Sequence, residues 1–251
     1  MNSDFISGLL ISVISSLLGV NLVLRRLSML GDGLSHVGFG ACALASVLGI
    51  SLLNFSLPAV VAVAFVIIFF KGGDSAVALW SSGALALGAF LLSSEEKHEE
   101  FEELLFGNYD SLKAEDFVGI LILSALTLLF FIFFYKNIFK VTFDEGYAKA
   151  TGEKVSFINT VIALLTAITI VYGMRYFGAL LISSLIVFPP MTAMKICKSF
   201  KMTLLTSAVV AGACYCTGVF VSNLTESAIG PTVVMANIVL YLSASVFSRP
   251  R

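Results

Sequence analysis

Nine apolar stretches occupy most of this 251-residue chain, near 5–24, 27–49, 52–70, 75–93, 116–135, 155–174, 177–194, 203–222 and 231–247. Each is about 17–24 residues long, enough for a helix rising ~1.5 Å per residue to cross ~30 Å of hydrocarbon. Inside a bilayer an unpaired backbone N–H or C=O costs several kcal/mol, so stretches of this length are viable there only as helices. Hydrophobic residues make up 58% of the chain and charged ones 12%, with a mean hydropathy of +0.99, which excludes an ordinary soluble domain. The expected fold is therefore all-α: a polytopic membrane protein of eight or nine spans forming one domain over 1–251, with no internal repeat. The opening MNSDFISGLLISV lacks a basic start and a small-residue cleavage site and reads as a retained helix. Cys42, Cys197, Cys214 and Cys216 fall in or beside apolar segments and read as small hydrophobes, not as a disulfide frame or a metal clip.

Charge orients the spans. Alternate connections carry Arg25 and Arg26; Lys71; Lys136, Lys140, Lys149 and Lys154; Lys195, Lys198 and Lys201; and Arg249 and Arg251. The opposite connections hold Lys97, Lys113 and Arg175, so 12 of the 15 basic residues lie on one side. The positive-inside rule places that side in the cytoplasm, with the N-terminus outside and the C-terminus inside a cell (cytoplasmic) membrane. The acidic residues Glu95, Glu96, Glu99, Glu100, Glu102, Glu103, Asp110, Glu115 and Asp116 then share one outside loop. That loop reads as a solvated amphipathic segment, with His98 as a weaker metal-guiding candidate.

One span carries an ionisable pair. Asp32 and His36 lie four residues apart in LSMLGDGLSHVGFGACALASVLG, on one helix face. A carboxylate and an imidazole are good ligands for a divalent metal, and ionisable groups at membrane depth mark functional sites. The alternative is that the two pair with each other inside a helix bundle. By helical rise Asp32 lies ~9 Å and His36 ~15 Å above Arg26, close to the midplane, where transport sites tend to sit. Gly31, Gly33, Gly38 and Gly40 surround the pair and allow either close helix packing or room for an ion. Met29 and Cys42 are read as further pathway residues on the same face. Ser183 and Ser184 precede Pro189-Pro190, where a double proline frees carbonyls that could line a pathway or simply kink the helix. Asn21 and Asn237 read as interhelical hydrogen-bond partners, and Arg175 and Glu226 as charges at span ends.

RRLSMLGDGLSH at Arg25–His36 resembles the signature of metal-type ABC transporter permeases, the membrane subunits of zinc and manganese importers. ELLFG at 103–107, FDEGYAKATG at 143–152, and GALLIS with PPMTA at 178–193 resemble further family segments in the family's order. The resemblance implies a type II ABC permease architecture, like that of vitamin B12 importers, and a metal pathway through Asp32 and His36. It also implies a cytoplasmic ATPase-coupling loop containing Asp144, Glu145, Gly146, Tyr147, Ala148 and Gly152. Many manganese members carry proline four residues after the histidine, where this chain has Gly40, which leans toward zinc. Gly146 stands where a second acidic residue is frequent.

The chain contains no GxxxxGK[ST] phosphate loop. ATP is then used by a partner ATPase, and this chain is a transport subunit that binds no cofactor and carries Zn2+ or Mn2+ as cargo. The other implied partners are an external metal-binding protein, a second identical permease and membrane lipid, with no nucleic acid. Two other readings remain open on the residues alone. A secondary cation transporter or channel would use Asp32 as an ion relay, and an intramembrane metalloenzyme would require a third ligand and a base.

Overall fold

The computed structural model describes residues 2–69, 73–93, 102, 104–107 and 114–247. Among these the regular structure is helical: α1 (Asn2–Leu24), α2 (Ser28–Leu48), α3 (Leu52–Phe69), α4 (Gly73–Leu91), α5 (Ala114–Phe133), α6 (Tyr135–Phe143), α7 (Glu145–Ala150), α8 (Val155–Ile196), α9 (Phe200–Thr225) and α10 (Ile229–Phe247). Each expected apolar stretch coincides with a helix, with 155–174 and 177–194 sharing α8. Helices α1, α5, α8, α9 and α10 are long and apolar enough to cross a membrane, and α3 and α4 contain shorter apolar helices. The acidic stretch with Glu95 and His98, and Lys71, Lys97, Lys113, Arg249 and Arg251, lie outside the described residues.

The 42 residues of α8 would measure about 63 Å as one rod, twice a bilayer. They do not form one rod, because Gly178 adopts φ 79°, ψ 160° and interrupts the helix. Gly173 and Ile182 would lie ~13.5 Å apart along a straight helix. Instead a Cβ on Gly173 would meet Ile182 Cγ1 at 2.7 Å, so the chain doubles back at Gly178 and its two limbs pack together. This hairpin is the centre of the fold. Ile170, Val171, Tyr176, Phe177, Leu181, Leu185 and Ile186 form the main core with Ile11 of α1, Leu34 of α2, Val60 of α3 and Val233 of α10.

The reversal falls beside the gap expected between the stretches 155–174 and 177–194, and the proline pair neither reverses nor ends the helix. Pro189 and Pro190 are buried within the second limb of α8 and the helix continues through them. Pro190 has no N–H to give the Ile186 carbonyl. That carbonyl does not face a pathway but lies against Gly19 of α1, where a Cβ would collide with it. The adjoining backbone there leaves Cα–H as the close neighbour of the freed oxygen.

The ends of the bundle differ. At one end the Gly178 reversal meets the 105–107 segment backbone to backbone. Gly107 has φ 86°, and a Cβ on Gly178 would stand 2.5 Å from the Leu105 carbonyl carbon. Phe5 of α1 belongs to this end through Tyr215, which in turn packs edge-on against Phe177. Arg175 and Asp116 also lie here, and they are not merely solvated span-end charges. Their side chains are 19% and 8% exposed and pair at 3.4 Å, tying α8 to α5.

At the other end of α1, about 34 Å away, the chain turns into α2 beside α6 and α7. Asn21 donates to Thr142 Oγ1 at 2.6 Å, the expected interhelical bond. Asn237 differs from expectation: its amide donates to the Val233 carbonyl of its own helix at 2.9 Å.

Candidate functional site: an exposed carboxylate–imidazole face on a gripped helix

Helix α2 is regular, and its glycines are packing surfaces. A Cβ on Gly31 would stand 2.8 Å from Ile186 of α8, and one on Gly38 would stand 3.2 Å from Met174. Substituents on Gly33 and Gly40 would collide with Val77 and with the Ala84 carbonyl of α4. Neighbouring helices therefore clasp α2 closely on these faces, through side chains at Gly31, Gly33 and Gly38 and through the α4 backbone at Gly40. Leu30, Gly31, Gly33, Leu34, Ser35, Val37, Gly38, Phe39, Gly40, Ala41, Cys42, Ala43 and Ala45 are all buried. Between Met29 and Ala43 the residues that escape burial form one stripe, Met29, Asp32 and His36, at the i, i+3, i+7 spacing of a single helix face, and the helix opens again at its end with Leu44, Ser46, Val47 and Leu48.

On that stripe Asp32 is half exposed, and its Oδ2 lies 3.5 Å from His36 Nε2. Two ligands each ~2.1 Å from a tetrahedral ion are about 3.4 Å apart. The pair is thus already spaced as two adjacent corners of a tetrahedral site. His36 Nδ1 is buried without a hydrogen-bond partner, and Ser35 donates to the Asp32 carbonyl at 2.7 Å. Ser183, on the second limb of α8, comes within reach of the Asp32 carboxylate. Its hydroxyl donates to the Leu180 carbonyl at 3.1 Å. No third His, Cys, Asp or Glu joins the pair among the described residues.

The other two pathway candidates face elsewhere. Cys42 is fully buried in a cluster with Phe39, Leu92, Leu104, Met174 and Ala179. Six residues beyond His36, at 100° per residue, it has rotated off the exposed stripe. Ser184 is 5% exposed and donates to the Leu181 carbonyl at 2.8 Å, so it also points into the core. Met29, 54% exposed, remains on the stripe one turn from Asp32.

The 136–154 connection is built rather than loose. Phe134 interrupts the helical run, and α6 then buries Ile138, Val141 and Thr142. Phe139 and Phe143 pack on Phe200 of α9. Asp144 caps α7 by accepting from the Tyr147 N–H at 2.9 Å. Gly152, at φ 79°, closes the helix in a Schellman turn, with Glu153 N–H bonded to the Ala148 carbonyl and Gly152 N–H to Lys149. Gly146 lies inside α7. Ala148 is fully buried, so it belongs to the core and not to an outer face; Tyr147, 57% exposed, carries that face. Lys140 bonds Glu153 at 2.7 Å and holds its carboxyl below the usual range. That pairing is complete above the ordinary glutamate pKa and is lost as pH falls through the lowered value.

The model of the ABC 3 transport family matches residues 1–248. This chain belongs to the ABC 3 transport family. The manganese import system permease protein ScaB of Streptococcus gordonii is 29% identical over 262 residues, covering 100% of this chain and 92% of the relative. The high-affinity zinc uptake system membrane protein ZnuB of Buchnera aphidicola is 27% identical, covering 96% and 95%. PsaBC from Streptococcus pneumoniae, solved in complex with Fab, superposes with a TM-score of 0.86 at 25% identity, covering 98% of this chain and 91% of that one. This ABC 3 permease therefore has the expected type II architecture. It is a transport subunit and not an enzyme, and ATP hydrolysis belongs to a separate chain.

Proposed function

We propose that this ABC 3 permease imports divalent transition metals, zinc first and manganese second, as one half of a two-copy pathway in the cytoplasmic membrane. The observation that carries this is the Met29–Asp32–His36 stripe, the face left open along the first half of a helix otherwise clasped by α3, α4 and α8. One copy supplies two ligands at tetrahedral spacing, and a second copy related by a twofold axis supplies the other two. Two carboxylates and two imidazoles then complete the four-coordinate set zinc prefers. The cargo ion offsets the cost of holding carboxylates at membrane depth.

The basic connections are cytoplasmic, so the N-terminus is outside and the C-terminus inside. An ATPase docks on α7 through Tyr147 and its exposed neighbours, and an external binding protein delivers metal at the Gly178 end. The names of the manganese and zinc relatives support the cargo class.

Titration of the purified permease tests the cargo. Binding should saturate near one zinc per two chains, with manganese weaker by at least about 10-fold, as the Irving–Williams order requires of a mixed nitrogen and oxygen site. Tighter manganese binding would overturn the order of preference, and no binding of either ion would overturn the site. Docking has its own test. Tyr147→Arg changes an exposed side chain and should leave the permease folded while co-purification of its ATPase falls at least about 10-fold. Undiminished co-purification would remove α7 from the interface.

A further inference from the structure

The two functional segments, far apart in sequence, are joined by one side chain. Arg25 Nη1 donates to Asn159 Oδ1 at 2.7 Å, and Nη2 donates to Glu145 Oε2 at 3.4 Å. Arg25 is 17% exposed, and the second oxygen of Glu145 is held by Lys149 at 3.1 Å. Glu145 is the first residue of α7, and Arg25 lies in the turn that leads into α2, seven residues before Asp32. The turn has little slack. Leu27 N–H bonds the Leu22 carbonyl at 2.8 Å and Arg26 N–H bonds Val23 at 3.0 Å, the Schellman pattern. Its left-handed position is filled by Arg26 at φ 60°, where glycine is usual. Holding a side chain there requires the surroundings to enforce it. Beside this strut lies a cavity of about 380 Å³ lined by Arg25, Leu27, Leu30, Ile67, Glu145 and Asn159. It gives the turn space to move into without breaking core packing.

We propose that Arg25 is the positioning residue that couples α7 to the metal-bearing helix: displacement of α7 pulls the Glu145–Arg25 pair, and the stiff turn passes that displacement to α2 and Asp32. The proposal rests on the importer reading above. A flexible turn or a solvated arginine would dissipate the movement. The guanidinium's two-armed contact with α7 and α8 also makes a lysine a poor substitute.

The test uses permease–ATPase complexes in vesicles with the external binding protein, measuring zinc imported per ATP hydrolysed. Arg25→Gln should keep co-purification and basal ATP hydrolysis. Zinc binding to the purified permease should stay within twofold, while the transport ratio falls at least 10-fold. The charge swap Arg25→Glu with Glu145→Arg should recover a large part of the ratio that Arg25→Glu alone loses, because Asn159 can donate to a carboxylate as readily as it accepts. Arg25→Lys, which keeps the charge, should fold if Arg25→Gln does not, and should give an intermediate ratio. An unchanged ratio in Arg25→Gln or Arg25→Lys would overturn the proposal, as would no recovery in the swap. Loss of zinc binding together with transport would also overturn it, by making Arg25 a support of the site alone. A wild-type complex that imports neither zinc nor manganese would overturn the importer reading itself, and is recognised before any variant is compared.

Discussion

Asp32→Ala and His36→Ala should each reduce metal uptake to about 1% of wild type or below while the permease stays folded in the membrane. Removing one charged or strongly polar partner from a desolvated site costs about 3 kcal/mol, and each 1.4 kcal/mol is tenfold in affinity. In a twofold-symmetric pathway each substitution deletes two ligands of the same ion, so about 100-fold is the floor. Folding should survive. Asp32 is half exposed on the open stripe, and the faces by which α2 packs carry other residues. Uptake of radioactive zinc and manganese into vesicles, with purified protein checked for monodispersity, measures both. Near-normal uptake by either variant would remove that residue from the pathway. Met29→Ala should be milder, because a thioether is a weak ligand for zinc or manganese and Met29 sits one turn away.

The second large effect concerns the fold. Gly178→Ala should deplete folded protein and lower its thermal midpoint by many degrees. The φ 79°, ψ 160° conformation is essentially confined to glycine and costs another residue about 1–3 kcal/mol. The added methyl also meets the Leu105 and Phe106 backbone, and overpacking of that kind adds a further 1–3 kcal/mol or so. Two comparisons separate these causes. Gly152, also at φ 79° but in the ordinary left-handed position of a Schellman turn, has nothing within 4 Å of a Cβ, so Gly152→Ala should show a milder backbone strain with no clash. Gly83 in α4 has ordinary helical geometry and open space, so Gly83→Ala should be neutral or mildly stabilising. Melting curves of the three purified variants rank them. A Gly178→Ala variant as stable as Gly83→Ala would mean that the hairpin does not depend on this glycine.

Much of this was legible in residue order. Apolar length and the ban on unpaired backbone in lipid specify helices and their number of stretches, because both act within a single segment. The four-residue spacing of Asp32 and His36 specifies a shared face for the same reason. Gly152 marks the end of α7 through local capping chemistry, whereas its start is capped by Asp144 and not set by Gly146.

What the chain order leaves undecided is rotation and contact between segments. Cys42 and Ser184 lie close in sequence to candidate site residues, yet both are buried, Cys42 among Phe39, Leu92, Leu104, Met174 and Ala179, and Ser184 bonded to the Leu181 carbonyl of its own helix. Ala148 is drawn inward by the apolar cluster of Ile138 and Val141. The gap between the stretches 155–174 and 177–194 marks the reversal to within a few residues, but only the contacts single out Gly178 and let the helix run through the proline pair at 189–190. At Gly178 the 105–107 segment presses on a backbone that only glycine lets approach, while α1 supplies Gly19 to accommodate the carbonyl a proline frees. Arg25, Glu145 and Asn159 meet across 120 and 134 residues of sequence, and nothing in their local pattern announces it. Local backbone chemistry thus determined the elements and the helix face that Asp32 and His36 share. Only the close packing of glycine-rich helix faces decided which side chains face the open stripe and which bridge α7 to α2.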